Sequence, residues 1–343
     1  MLLSKRRALV VAFASMIAGG GACADDAEVT FPVRAAPPSR HDALRDALRD
    51  DARAFAFEDG DWLEDEGDAP HYGLAWLARS GEAADAAKAR ALDRLGGEPL
   101  ARETIASARG LAEHAIASGD RSALPALEAY ADRADAELRA SGDFVRADDG
   151  AFGPTATTAS LALLAAEMTL FLGSARRDRA IAIDAAIRRE TFGDLVDPGT
   201  LRQARAYAYA PGAPGIRDTP NLAMLILKTR LFRLTKDEVF RLEARAIDGV
   251  LQSTPLALLS SRADRALGLT LMFEITGEQR FIDAADAAFD SAAELRGPWC
   301  SPVTARCASG LLHDATAGTL CSGCTYRTLW SLGVRRALAG AAY

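Results

Sequence analysis

The sequence predicts an all-α protein, an (α/α)6 barrel or toroid of about six helical hairpins with a disulfide-rich C-terminal segment. Three observations carry that prediction. A tight turn of small, polar and acidic residues recurs along the chain. Apolar residues on both sides of each turn recur at helical spacing. Strand signals are sparse, because no long run alternates apolar and polar residues with β-branched enrichment.

The hairpins align on their turns. Tyr72 to Arg79 precedes Ser80-Gly81-Glu82, and Ala83 to Leu95 runs back. Leu111 to Ala117 precedes Ser118-Gly119-Asp120, and Leu124 to Leu138 follows. The third turn is Leu172-Gly173-Ser174, and the fourth is Leu234-Thr235-Lys236-Asp237. The fifth is Thr276-Gly277-Glu278, between Leu269–Ile275 and Phe281–Leu295. Glycine supplies the left-handed conformation that ends the first helix. Ser or Thr before it and an acid after it favour the turn and the next helix start. One such hairpin cannot bury its apolar face alone, whereas several packed side by side can.

With 343 residues and 49% hydrophobic content, the chain can bury a large core. No Pro/Gly/Ser-rich linker divides it, so the expected organisation is a signal peptide over 1–22, a tether over 23–40 and a single toroid over 41–343. Lys5-Arg6-Arg7 followed by the apolar run Ala8–Ala18 reads as an export signal, and that run is too short to span a membrane. Two cleavage readings stand open. Ala22-Cys23-Ala24 fits ordinary small-residue cleavage, and Gly20-Gly21-Ala22-Cys23 resembles a bacterial lipobox, which implies a lipidated Cys23 and a membrane anchor. Either way the expected location is the cell envelope or periplasm.

Forty basic residues against 47 acidic ones give a net charge of −7, and removing the signal removes three of the cations. That balance argues against nucleic acid as a partner. Cys23 aside, the cysteines are Cys300, Cys307, Cys321 and Cys324, an even cluster that in an oxidising compartment reads as two disulfides. Crossing pairs, or Cys300–Cys307 with Cys321–Cys324, are both open. A zinc site or a redox-active Cys321-Ser-Gly-Cys324 are the competing readings.

The most site-like segment is Phe57 to Tyr72, where seven acids surround Trp62, His71 and Tyr72. Crowded carboxylates shift one another's pKa, so one can stay protonated as a general acid while another stays ionised. Asp148-Asp149-Gly150-Ala151-Phe152 partly echoes Asp59-Gly60-Asp61-Trp62. Asp59, Asp61 and Asp149 are therefore the candidate catalytic acids, with Trp62, His71, Tyr72 and Phe152 as candidate substrate contacts. The opposing reading is an acidic, solvated loop and common Asp-Gly turn chemistry. No phosphate-binding Gly-rich loop, Gly-x-Ser-x-Gly elbow or His-Glu-x-x-His helix occurs, and no cofactor or metal is expected.

The segment Gly268-Leu-Thr-Leu-Met-Phe-Glu-Ile-Thr-Gly-Glu-Gln-Arg-Phe-Ile-Asp-Ala-Ala resembles the helical pairs of the six-hairpin glycosidase-like (α/α)6-barrel superfamily. The resemblance extends over residues 40–295. It implies a carbohydrate-active, glycoside hydrolase-like protein that uses carboxylate acid/base chemistry, with acidic and aromatic side chains in loops at one end of the barrel. The alternative is a non-catalytic envelope lipoprotein that binds a protein or glycan.

Overall fold

The computed structural model describes residues 35–53, 69–80, 84–145, 154–254, 259–300, 307–312 and 320–339. Twelve helices lie among them. They are α1 (Asp42–Arg53), α2 (Ala69–Ser80), α3 (Asp85–Arg94), α4 (Arg102–Ser118), α5 (Leu124–Ala140), α6 (Pro154–Leu172), α7 (Ser174–Thr191), α8 (Asp218–Thr235), α9 (Glu238–Leu251), α10 (Leu259–Thr276), α11 (Gln279–Ala293) and α12 (Ser322–Leu338).

The even-numbered helices form a closed inner ring. α2 packs on α4, α4 on α6, α6 on α8, α8 on α10, α10 on α12, and α12 back on α2. The odd-numbered helices form the outer layer. This division follows from the side chains. Inner helices are covered on all sides, so α4 is buried without interruption from Thr104 to Ala115 and α12 from Ser322 to Gly333. Outer helices bury one stripe, as in α9 with Phe240, Ala244, Ile247 and Leu251. Thr155–Leu172 is long and apolar enough to cross a bilayer, but it belongs to the inner helix α6 and is mostly buried in the ring.

The recurring turns join inner to outer helices, and their chemistry matches the sequence reading. Gly119 and Gly277 sit at φ 76° and 70°. The hydroxyls of Ser118, Thr235 and Thr276 each accept the backbone N–H two residues on. In the fourth turn Lys236 occupies the left-handed position instead of glycine, at φ 60°.

Five hairpins follow these turns in sequence. The sixth is assembled from the chain ends, with α1 serving as the outer partner of α12. Tyr326 Oη donates to the Ala52 carbonyl (2.9 Å), and Arg336 pairs with Asp42, so the two helices run antiparallel. Residues 35–40, read from the sequence as the end of the tether, lie against the same closure. Ala36 N donates to Leu338 O (2.9 Å), and the fully buried Arg335 donates to Pro37 O (2.9 Å) and pairs with Asp286 (3.1 Å).

Two short hairpins interrupt the helices. β1 (Phe192–Val196) pairs antiparallel with β2 (Gln203–Tyr207), and β3 (Arg296–Cys300) with β4 (Cys307–Leu311). Five-residue strands are too short to leave a readable alternation, which is why the sequence shows so little of them. Both disulfides are local. Cys300–Cys307 links opposite positions of β3 and β4, and Cys321–Cys324 closes the start of α12. All four thiols are thereby consumed, so neither the crossed pairing nor a four-thiolate zinc site is formed.

Candidate functional site

Because the tight turns all join inner to outer helices, every outer-to-inner connection begins and ends at the opposite end of the ring. There the N-termini of α2, α4, α6, α8, α10 and α12 meet the long connections. β1–β2 leads into α8 and packs on the start of α6, where Thr155 Oγ1 donates to Ala208 O (2.8 Å). β3–β4 leads into α12, and Arg296 grips Asp51 of α1 with two bonds of 2.7 and 2.9 Å. Leu311 N donates to Thr325 Oγ1 (3.1 Å), and Cys321 N to Leu311 O (2.8 Å), which fixes this hairpin over the start of α12.

The inner helices also bury polar side chains, among them Arg109 and Glu113 on α4 and Thr157 and Glu167 on α6. Deep in the ring, Arg79 pairs with Glu113 (3.0 Å), Arg109 holds Glu167 through two bonds (2.6 and 3.3 Å), and Arg233 pairs with Glu274 (2.9 Å). Nearer the loop end, Arg327 pairs with Asp264 (2.7 Å). Burial raises the Glu113 carboxyl, but Arg79 and Arg230 outweigh it and hold the pKa below the usual value. Burial also works against the charge of Arg109, and the Glu167 carboxylate overrides it, so the guanidinium stays protonated. Each of these four acids has an arginine partner that ties inner helices together, while burial, outweighing Arg109, raises the Glu167 carboxyl above its usual value.

Above that network, α2, α4 and α6 border a small cleft of about 20 Å³. Its walls are His71, Arg102, Arg109, Thr157 and Ser160, over an apolar floor of Ile105 and Ala106. The α4 residues stand at 102, 105, 106 and 109, which is one face of a helix. Among the described residues, its lining comes from inner helices alone.

Of the sequence-derived candidates, His71 and Tyr72 lie among the described residues. His71 is 3% exposed and lines the cleft, and its Nε2 has no hydrogen-bond partner there. Its pKa lies well below the usual histidine value, first because of burial and then because Arg109, Arg327, Arg79 and Arg230 surround it. Tyr72 is also buried, packed on His71 (4.1 Å between ring centres) and Trp330 (5.6 Å), with Arg327 over its face (4.8 Å). Asp59, Asp61, Trp62, Asp149, Phe152 and Cys23 lie outside the described residues. The flanks of the two acidic segments are placed, however. Residues 53 and 69 lie at the loop end, as do 145 and 154.

The sequence reading missed Arg102, Arg109, Thr157, Ser160 and the buried Glu113 and Glu167. A signal was present: charged residues recur at axial spacing inside helices that are otherwise Ala- and Leu-rich on every side. Two further buried polar side chains have structural partners. Asn221 is fully buried and caps the end of β2, accepting from Tyr207 N (3.0 Å) and donating to Tyr207 O (3.0 Å). His114 is buried on α4 beside Ser118 (3.4 Å).

No family model matches the chain, and no curated protein matches it in sequence. Solved structures do. An unsaturated glucuronyl hydrolase specific for heparin superposes with a TM-score of 0.60 at 13% identity, covering 88% of this chain and 99% of that one. An unsaturated glucuronyl hydrolase from Streptococcus agalactiae gives 0.54 at 14%, covering 85% and 89%. A family 76 glycoside hydrolase from a bovine Bacteroides thetaiotaomicron strain gives 0.51 at 13%, covering 84% and 77%. The fold is therefore an (α/α)6 toroid like that of these structures, and at these identities the likeness is one of fold alone.

Proposed function

We propose that this chain is an exported, carbohydrate-active enzyme of the glycoside hydrolase type, working at the loop end of the toroid. The observation that carries the reading is the convergence of every long connection on the end of a closed ring where a polar cleft opens. Loops mounted on a rigid scaffold are where binding and catalytic residues concentrate. The solved structures that share this fold are described as hydrolases of sugar linkages, which agrees with the reading. Asp59, Asp61 and Asp149 would supply the acid and base, with Trp62 and Phe152 as ring-stacking platforms. Tyr72 would shape the site from beneath, because its own ring is covered. Two disulfides are consistent with an oxidising compartment, and Cys23 would carry the lipid if the lipobox is used.

The test is turnover of a glycan panel by the mature chain and by Asp59→Ala, Asp61→Ala and Asp149→Ala. Loss of roughly 100-fold or more in kcat for at least two of them is expected. Activity that survives all three substitutions sinks the assignment. A second reading, a non-catalytic glycan- or protein-binding lipoprotein, draws on the arginine partners held by the four described acids. Ligand binding with no turnover of any glycan would favour it. Lipid incorporation that disappears in Cys23→Ala would establish the anchor, and its absence in the unmodified chain would leave ordinary signal cleavage.

A further inference from the structure

We infer that the toroid is mounted with its tight-turn end toward the membrane that holds its N-terminus, and its loop end facing away from that membrane. The membrane in this statement rests on the lipidation of Cys23 proposed above, whereas the direction of mounting stands on residues 36–41.

Those residues are clamped where the chain enters the toroid. Ala36 is 5% exposed and belongs to the main core, and its N–H donates to the carbonyl of Leu338, the last residue of α12 (2.9 Å). Arg335, one turn earlier on α12, donates to Pro37 O (2.9 Å) and is itself held by Asp286 of α11 (3.1 Å). His41 Nε2 hydrogen-bonds Asp290 Oδ1 of α11 (2.8 Å), and Arg40 pairs with the same carboxylate. Between these points Pro37 and Pro38 restrict the backbone further.

The clamp lies at a defined end of the ring. α12 is an inner helix, so its C-terminus sits among the tight turns, and the long connections and both β-hairpins lie at the other end. Inner helices of 17 and 19 residues, α4 and α6, separate the two ends by about 26–29 Å at ~1.5 Å per residue.

The reach of the preceding chain decides which end meets the bilayer. Cys23 and Ala35 are 12 residues apart, and a chain spans at most about 3.6 Å per residue, or ~43 Å in all. Turning the loop end to the bilayer would stretch about seven or eight of those residues along the side of the toroid, at the expense of their backbone freedom. With the tight-turn end down, none of them is so constrained. On the proposed function, a site among the loops is then presented to glycans free in solution or carried by another surface, rather than to glycans on lipids of the membrane that holds the chain.

The experiment places the lipidated chain in vesicles of phosphatidylethanolamine and phosphatidylglycerol that carry a headgroup-labelled acceptor lipid. A donor dye is attached through Gln279→Cys or Glu294→Cys, exposed positions at opposite ends of α11. Both disulfides are closed and the Cys23 sulfur is taken up by the lipid, so the introduced thiol is the reactive one. Thermal melts confirm that both labelled variants are folded. Energy transfer should be at least about two-fold higher from position 279 than from 294, which lie ~22 Å apart along the helix. Equal transfer, or higher transfer from 294, in chain that carries lipid on Cys23 would overturn the inference and leave the anchor standing. A mass of the N-terminal peptide without lipid would remove the membrane, overturning the inference together with the anchor reading but not the hydrolase reading, which the glycan panel tests.

Discussion

Replacing Gly268 with alanine tests how tightly two inner helices are packed. Gly268 lies in α10 against α8, and a Cβ built on it would stand 2.6 Å from Leu225 Cδ2 and 3.2 Å from Leu225 Cγ. Leu225 is fully buried within the ring, so its side chain has little room to withdraw. Two effects oppose each other. Alanine is favoured over glycine in a helix interior by about 1 kcal/mol. Forcing a methyl into a filled core costs about 1–3 kcal/mol. With a contact this far inside van der Waals distance the steric cost should win, leaving Gly268→Ala destabilised by ~1–2 kcal/mol. Gly249 in the outer helix α9 is the control. A Cβ there meets nothing within 4 Å, so Gly249→Ala should gain about 0.5–1 kcal/mol. Urea unfolding reads both. The decisive arm is Gly268→Ala in a Leu225→Ala background, where the offending atoms are gone and the same change should become neutral or stabilising. A cost that is the same in both backgrounds would refute the packing argument.

Lys228 is fully buried between Asp184 (2.7 Å) and Glu243 (2.5 Å), tying α8 to both α7 and α9. Lys228→Met strands Asp184, while Glu243 keeps its pair with Arg188, and should cost about 3–5 kcal/mol in urea unfolding; a loss below ~1 kcal/mol would show that the buried lysine is dispensable. His71 makes stability depend on pH. Its folded pKa is lowered from 6.5, so stability is complete above that value and falls as the unfolded state alone takes up a proton below it. The slope should be about 1.4 kcal/mol per pH unit between pH 6.5 and 5, and His71→Gln should flatten that part of the curve. An identical slope in the variant would remove His71 from the acid response. Peptide mapping without reduction should recover Cys300 with Cys307 and Cys321 with Cys324, and any crossed pair would contradict the structure. Cys300→Ser/Cys307→Ser should lose roughly 2–3 kcal/mol, the loop-closure expectation for so short a loop, and an unchanged midpoint would argue that the link is not closed in solution.

The hairpins were legible in the amino-acid sequence because their causes are local. Gly119 and Gly277, the preceding hydroxyls and the following acids specify a turn within four residues, and apolar spacing specifies the helices beside it. The acidic segment and the even cysteine count are local in the same sense. The disulfide pairing was not, since four thiols in one stretch leave the choice to the register of β3 with β4. Nor was the sixth hairpin, whose helices α1 and α12 come from opposite ends of the chain. Local turn chemistry carries no information about which distant helices meet. The cleft belongs to the same class. Arg102, His71 and Ser160 are unremarkable within their own helices, and only the closure of the ring brings them to one place. The sequence by itself determined the repeating unit and its five local copies. Tertiary structure decided how the ring closes, which end gathers the long connections, and which polar side chains face one another across the interior, because these depend on packing between residues far apart in the chain.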